Sequence, residues 1–147
     1  MVTLIGMGSG SWEALSAQAQ DAVRRAGLVF GAKRLLAGLP PECTARQFAL
    51  YQPAEILETL AQAPGQDAAV LYSGDTGFYS GASGLLTPLR ALGIPARVYP
   101  GVSSIQLLAA ALGRPWQDWK LVSAHGCACD PVAQCMTERS VFFLTGG

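Results

Sequence analysis

The sequence feature that most constrains the fold is a short apolar run that ends abruptly in a glycine-rich loop. Residues Ala68–Tyr72 are apolar or aromatic, and the loop that follows reads S-G-D-T-G-F-Y-S-G. Such a run is typical of a buried parallel strand, and open α/β sheets bind ligands where their strands end. The loop is therefore either a ligand-binding loop or a tight turn in which Asp75 caps nearby main chain.

The rest of the first hundred residues alternates strand and helix signals, which predicts an α/β fold with a parallel-rich open sheet and flanking helices. Apolar runs predict strands at 2–5, Leu28–Phe30, 46–50, Ala68–Tyr72 and Ala96–Tyr99. Helical spacing predicts an inward face of Ala19, Ala22, Val23 and Ala26 after a Ser16 cap, a short helix within 31–39, and a face of Ile56, Leu57, Leu60 and Ala61 after Pro53.

One further helix is predicted directly after the central loop. Its stripe consists of Leu85, Leu86, Leu89 and Leu92. Pro88 lies within the stripe, and because proline removes an internal hydrogen bond we expect a kink or a delayed helix start there.

A second polar segment, P-G-V-S-S-I-Q, follows the strand Ala96–Tyr99. Ser103 and Gln106 have the spacing of a capping box, which predicts a helix from Ser103 to Gly113. Its free amides would point towards the ligand-binding edge of the sheet, where they suit an anionic group. The residues expected to face inward on this helix are Leu107, Leu108, Ala111 and Leu112.

The domain pattern changes at R-P-W-Q-D-W, which predicts a linker over 114–120 between a first α/β domain at 1–113 and a second at 121–147. The second domain is expected to contain strands at 121–122 and 141–144 and a helix at 131–138. Because its last glycine turn precedes no further helix, we expect this domain to be incomplete.

Composition excludes several classes of function. Among 147 residues, ten basic side chains balance ten acidic ones and only 14% are charged. The chain therefore has no net positive charge that would attract the phosphates of a nucleic acid. The amino terminus lacks a secretory pattern and no apolar run is long enough for a membrane span, so we expect a cytosolic protein with reduced cysteines.

The first loop, G-M-G-S-G-S at 6–11, also invites a dinucleotide-binding interpretation. Ser11 occupies the place of the third glycine in that fingerprint, and no acidic residue follows the second strand to bind a ribose. The sequence therefore argues against nicotinamide or flavin binding. Lys33 and Arg34 are candidates for a phosphate contact or, more simply, form a solvated helix face.

His125, Cys127, Cys129 and Cys135 provide ligand types that zinc prefers. Their C-x-C spacing differs from the usual C-x2-C, so reduced loop thiols are the simpler interpretation and no metal site is assigned. A non-catalytic metal-binding module remains an alternative function. Cys43 stands apart from this group.

Three motifs together carry a family resemblance: the glycine-rich loop at 6–11, the Gly74-Asp75 loop, and P-G-V-S-S at 100–104. In this order and spacing they resemble the tetrapyrrole methylase family, which transfers methyl groups from S-adenosylmethionine to porphyrinoid and cobalamin precursors. Within the family, one branch methylates the C-5 meso carbon of a precorrin or cobalt-precorrin. The segments that resemble this branch are G-D-T-G-F-Y-S at 74–80, P-G-V-S-S-I-Q at 100–106, Pro115-Trp116 and His125-Gly126.

The resemblance implies a cobalamin-biosynthetic methyltransferase with a tetrapyrrole substrate and a homodimeric assembly, or a sister enzyme acting at another ring carbon. It assigns no catalytic side chain. The contacts it implies for S-adenosylmethionine are Gly74, Asp75, Phe78, Ser103 and Ser104, and those for the tetrapyrrole are Gly8, Ser9 and Gly10.

Overall fold

The computed structural model describes residues 1–124, 129–137 and 139–145. These residues form two compact units, Met1–Ser104 and Ile105–Gly147. The predicted domain boundary near Gly113 follows the helix Ser104–Leu112. The two units instead divide at the start of this helix, between Ser104 and Ile105.

The first unit is built on a five-stranded sheet whose pairings are all parallel. The strand order is β3-β2-β4-β1-β5, which confirms the predicted α/β class with a parallel sheet and flanking helices. The central strands are buried along their length, as expected for a sheet covered on both faces. The strands are β1 (Val2–Gly6), β2 (Leu28–Phe30), β3 (Arg46–Phe48), β4 (Ala68–Tyr72) and β5 (Ala96–Tyr99).

Helices cover the two faces of this sheet. A 3-10 turn at Trp12–Ala14, helix α1 (Ala17–Arg25) and helix α2 (Lys33–Leu36) contribute to the core on one face, together with Ile5 and Leu71 of the strands. Helices α3 (Pro53–Ala61) and α4 (Ala82–Ala91) contribute to the core on the other face, with Leu4 and Val70. The alternation of Leu4 and Ile5 between the two cores follows from the two-residue period of a strand.

The connections from β1 and β4 leave the sheet towards opposite faces. Strand β1 continues into α1 and β2, whereas the neighbouring strand β4 continues into α4 and β5. In α/β sheets, ligands bind outside the carboxyl ends of two neighbouring strands whose connections go to opposite faces, as those of β1 and β4 do. The fold therefore directs attention to the loops after β1 and β4.

Helix α1 shows how local sequence determines one of these elements. The Ser16 side chain accepts a hydrogen bond from the Ala19 amide at 3.2 Å, which confirms the predicted cap. Ala19, Val23 and Ala26 are buried, as the helical spacing predicted.

The sequence predicted either a kink or a delayed start of helix α4 at Pro88. Pro88 lies inside the helix, so the start is not delayed, and the kink stays a prediction. Leu85 and Leu89 on either side of Pro88 are fully buried, and this tertiary packing stabilises a helix that lacks one internal hydrogen bond. Leu92 was predicted to lie on the same stripe but is 62% exposed, because the helix ends at Ala91.

The second unit begins along helix α5 (Ser104–Leu112), whose predicted inward face was wrong. Ile105 and Ala109 are buried, whereas Leu107, Leu108 and Leu112 are 46%, 42% and 53% exposed, and Ala111 is also exposed. Almost every residue of this helix is apolar, so the helical period does not select one face.

The remaining elements of the second unit are strand β6 (Lys120–Ala124), helix α6 (Pro131–Cys135) and strand β7 (Val141–Thr145). The two strands pair in parallel, from Lys120 opposite Val141 to Ala124 opposite Thr145. The predicted elements are thus present, although Glu138 and the glycines at 146–147 lie outside the described residues. In the part of the chain that the structure describes, no helix is both long and apolar enough to cross a membrane.

Candidate functional site

Three loops meet at the carboxyl edge of the sheet because strands β4, β1 and β5 are neighbours. The loop after β1 contains Gly8, the loop after β4 contains Asp75, and the loop after β5 contains Gly101 and Ser103. Parallel strands end on the same side, so residues far apart in the sequence come together there. All three sequence motifs that carried the family resemblance are therefore adjacent.

The first two loops are joined by main-chain hydrogen bonds. The Gly8 amide donates to the Gly74 carbonyl at 3.0 Å, and the Gly74 amide donates to the Gly8 carbonyl at 2.9 Å. Both glycines have positive φ, +58° and +66°, a conformation that residues with side chains rarely adopt. A residue with a side chain would therefore be strained at either position, so the pairing of the two loops favours glycine on both sides.

Asp75 links the second loop to the third. One carboxylate oxygen accepts a hydrogen bond from the Gly77 amide at 2.9 Å, and the other accepts one from the Gly101 amide at 3.2 Å. The side chain is half-buried. The sequence offered a local cap and a ligand contact as alternatives, and the structure shows a cap that also spans two loops.

The close approach of these loops depends on glycine. A Cβ placed on Gly6 would lie 2.5 Å from the Gly101 amide nitrogen and 2.7 Å from the Gly74 carbonyl oxygen. A Cβ on Gly101 would meet the Gly74 carbonyl oxygen and would lie 2.6 Å from the carbonyl carbon of Gly6. Real Cβ contacts are never this short, so three main-chain segments touch where only glycine fits. Sequence reasoning missed this role, although each strand ends in or near a glycine.

The two serines of the third loop have different environments. Ser103 is 4% exposed, and Ser104 is exposed as the first residue of α5. The helix thus begins at Ser104, one residue after the predicted start at Ser103. A Cβ on Gly74 would lie 4.0 Å from the Ser103 Cα, so Ser103 borders the aspartate loop.

The aromatic residues of the second loop form a small cluster. Phe78 is half-buried and packs edge-to-face against Tyr79, with ring centroids 4.9 Å apart. Tyr79 has a φ of +48°, which is unusual for a residue with a side chain and is a form of local strain found near functional sites. The loop thus holds an aromatic pair directly after the Asp75–Gly77 turn, and Tyr79 is the strained member of the pair.

The first loop reaches a basic residue that the sequence did not place in the site. Ser9 is exposed, and Gly10 has a φ of +97°. The Arg34 guanidinium donates a hydrogen bond to the Ser73 hydroxyl, and its Nη1 would lie 3.7 Å from a Cβ on Gly10. Of the two cations considered from the sequence, Arg34 therefore belongs to this edge of the sheet.

Tyr72 provides a pH-dependent test of how this edge is packed. Burial raises the pKa of the Tyr72 phenol from 10.0 to about 12. Between these pH values the unfolded chain binds fewer protons than the folded chain, so stability falls as pH rises from about 10 to about 12 and is unaffected below about 10. After solvent screening we expect a loss of about 1–2 kcal/mol.

Denaturant unfolding of the wild type and Tyr72→Phe at about pH 9 and about pH 11 measures this loss. The phenylalanine variant is expected to lose less stability between the two pH values than the wild type. An equal loss in both proteins would show that the Tyr72 phenol does not cause it.

The alternative metal site lies largely outside the described residues, because His125 and Cys127 belong to the segment 125–128. Cys129 and Cys135 are free thiols. Over residues 1–124, 129–137 and 139–145, no group of three or more potential metal ligands comes together. The metal-binding interpretation thus gains no support from the described part of the chain.

Comparison with known proteins gives one family for nearly the whole chain. The family described as Tetrapyrrole (Corrin/Porphyrin) Methylases matches residues 1–144. A cobalt-precorrin-7 C(5)-methyltransferase of Salmonella typhimurium is 33% identical over 147 residues, which cover 99% of this chain and 71% of that protein. A precorrin-4 C(11)-methyltransferase of Rhodococcus erythropolis is 32% identical over 120 residues, covering 77% of this chain and 48% of that protein.

A solved structure agrees with these sequence relatives. The uroporphyrin-III-C-methyltransferase of Thermus thermophilus superimposes with a TM-score of 0.74 at 25% identity, covering 99% of this chain and 67% of that one. The chain thus spans between about half and about 70% of the length of these relatives.

Proposed function

Because the chain belongs to the tetrapyrrole methylase family, we propose that it transfers a methyl group from S-adenosylmethionine to a carbon of a corrin precursor. The position we favour is C-5 of a precorrin or cobalt-precorrin, in cobalamin biosynthesis. The Salmonella typhimurium relative, which carries a C(5) name, aligns over 99% of this chain and supports this choice. The Rhodococcus erythropolis relative, which carries a C(11) name at 32% identity, keeps a sister activity at another ring carbon as the second candidate.

The observation that carries the proposal is the junction of the three loops. Gly8 and Gly74 pair through their main chains, and Asp75 bonds the third loop through the Gly101 amide at 3.2 Å. Ser103 follows in the same loop. A site assembled from three strand ends suits a ligand with several different polar groups, as S-adenosylmethionine has.

The residues fit this ligand in charge and in shape. The carboxylate of Asp75 provides a negative charge beside a ligand that carries a sulfonium and an ammonium group. The positive-φ glycines Gly8 and Gly74 hold the first two loops together through their paired main-chain hydrogen bonds. In the proposal, Gly74, Asp75, Phe78, Ser103 and Ser104 bind S-adenosylmethionine, and Gly8, Ser9 and Gly10 lie beside the tetrapyrrole.

The proposed reaction demands little of the protein beyond alignment. S-adenosylmethionine supplies an already activated methyl group, and the meso carbon of a reduced tetrapyrrole is an enamine-like nucleophile. The chain's residues then have to hold the two reactants in line, and such positioning supplies about 7–11 kcal/mol when the geometry is near attack. A rigid junction of three loops, tied by Asp75 and by glycine contacts, suits that task.

The reaction is tested by incubating the chain with S-adenosylmethionine and purified precorrin intermediates, with mass spectrometry of both products. We expect S-adenosylhomocysteine and a precorrin that has gained one methyl group at C-5. Methylation at another carbon would support the sister activity, and the absence of turnover with every intermediate would contradict the proposal.

Ser103→Ala gives a sharper test of the binding residues. Ser103 is buried at the junction, so loss of its hydroxyl is expected to raise the KM for S-adenosylmethionine about 2- to 13-fold, as for one neutral hydrogen bond. Ser83→Ala, on the exposed side of α4, is the matched control and should leave KM unchanged. Equal KM values for both variants would remove Ser103 from the site.

A cytoplasmic location and a homodimer complete the proposal. The exposed leucines of α5, Leu107, Leu108 and Leu112, support an additional protein contact because exposed apolar side chains of this size are often covered in assemblies. Sedimentation equilibrium of the purified chain tests the homodimer, and a monomer at all concentrations would contradict it.

A further inference from the structure

Arg34 occupies a defined position beside the loop junction. Its neighbours Leu35 and Leu36 are 2% and 8% exposed, so the short helix α2 is anchored in the core while Arg34 itself is exposed. The guanidinium donates to the Ser73 hydroxyl, which follows directly after β4. It also lies against Gly10 of the first loop, where a side chain would approach its Nη1.

The charge of Arg34 has no counterpart within the chain as described. Ser73 is a neutral partner, and the ion pairs found over residues 1–124, 129–137 and 139–145 join Met1 to Asp67 and Arg24 to Asp21. Asp75 accepts hydrogen bonds from the Gly77 and Gly101 amides instead. A guanidinium has five N–H donors in a planar fork, so one bond to Ser73 leaves donors that match a carboxylate.

We propose that Arg34 recognises a carboxylate side chain of the tetrapyrrole, with Ser73 holding the guanidinium towards the first loop. The assignment rests on the proposed function, and it deepens that function by naming a residue that selects the substrate class. Arg34 is a specificity residue and takes no part in methyl transfer. It favours a corrin precursor with free carboxylates over one whose side chains have been converted to amides.

The test compares two probes, a corrin that carries free carboxylates and the corresponding corrin in which they are amides. Absorbance titrations with the full chain measure the Kd of each probe. For Arg34→Ala we expect the carboxylated corrin to bind about 10- to 100-fold more weakly, as for one charge-assisted contact, and the amidated corrin to bind unchanged. Arg34→Lys should recover part of the loss, because it restores the charge without the planar fork.

Two further variants make the result specific. Lys33→Ala removes the neighbouring exposed cation of the same helix and should leave both Kd values unchanged. Ser73→Ala should weaken binding of the carboxylated corrin alone, by a smaller factor than Arg34→Ala. A merely structural role for Arg34 would lower the unfolding temperature and weaken both probes equally, which would overturn the assignment.

The outcomes separate this inference from the function on which it rests. If the wild type methylates a precorrin but Arg34→Ala binds the carboxylated corrin normally, the assignment of Arg34 fails alone. If the Arg34-dependent preference is found without methyl transfer or binding of S-adenosylhomocysteine, the proposed reaction fails while the carboxylate site stands. A wild type that binds neither corrin overturns the assignment.

Discussion

Replacing Gly101 with alanine is expected to lower the stability of the first unit by about 3–5 kcal/mol, close to the upper end of single-residue effects. The added Cβ would meet the Gly74 carbonyl oxygen and would lie 2.6 Å from the Gly6 carbonyl oxygen. All of these atoms are main chain, so no side chain can rotate away. Thermal unfolding followed by circular dichroism should show a decrease of roughly 10–20 °C.

Gly84→Ala is the matched control for this prediction. Gly84 lies inside α4, and a Cβ there would be 3.7 Å from its nearest neighbour, the Pro53 Cγ, which is an ordinary contact. Alanine at an exposed helix interior is expected to stabilise by about 0.5–1 kcal/mol. If Gly101→Ala unfolds at the wild-type temperature, the close contact of the three loops does not exist in solution.

Asp75→Asn is expected to weaken binding of S-adenosylhomocysteine about 10- to 150-fold, which corresponds to loss of one hydrogen bond to a charged group. Asparagine has nearly the same shape but only one acceptor oxygen, so its amide nitrogen must face either the Gly77 or the Gly101 amide. One of the two bonds is lost and two donors oppose each other. The negative charge beside the proposed ligand is lost as well. Isothermal titration calorimetry measures the change in Kd.

Asp67→Asn tests whether the effect is specific to the loop junction. Asp67 directly precedes β4 and pairs with the amino terminus of Met1 at 2.8 Å, whereas Asp75 follows the same strand. The substitution changes the same charge at the opposite end of β4 and should leave Kd within experimental error. Equal weakening in both variants would point to net charge rather than to Asp75.

Much of the first unit was predictable because its determinants are local. The strand Ala68–Tyr72 is found with its predicted bounds, since a buried parallel strand is apolar throughout and ends where polar residues begin. The Ser16 cap of α1 was also predictable, because the serine directly precedes the helical pattern that it caps. The family resemblance drawn from three glycine-containing loops is confirmed by the match over residues 1–144, because those loops have a fixed order along the chain.

The connections within the site could not be predicted, because they join residues that are distant in sequence. The bond from Gly101 to Asp75 and the bond from Arg34 to Ser73 depend on which strands become neighbours. No local pattern encodes that order. The buried face of α5 was misread for a related reason: in a helix that is apolar nearly all round, only the tertiary partners decide which side is covered.

The most direct test of a shared binding site is a titration of the ¹⁵N-labelled chain with S-adenosylhomocysteine, followed by amide chemical shifts. We expect the largest shifts to cluster at Gly8, Gly74, Gly101 and Ser103, with saturation at one ligand per chain. Shifts confined to the second unit, or the absence of saturable shifts in a chain that is shown to be folded, would contradict a nucleoside site at the junction of the three loops.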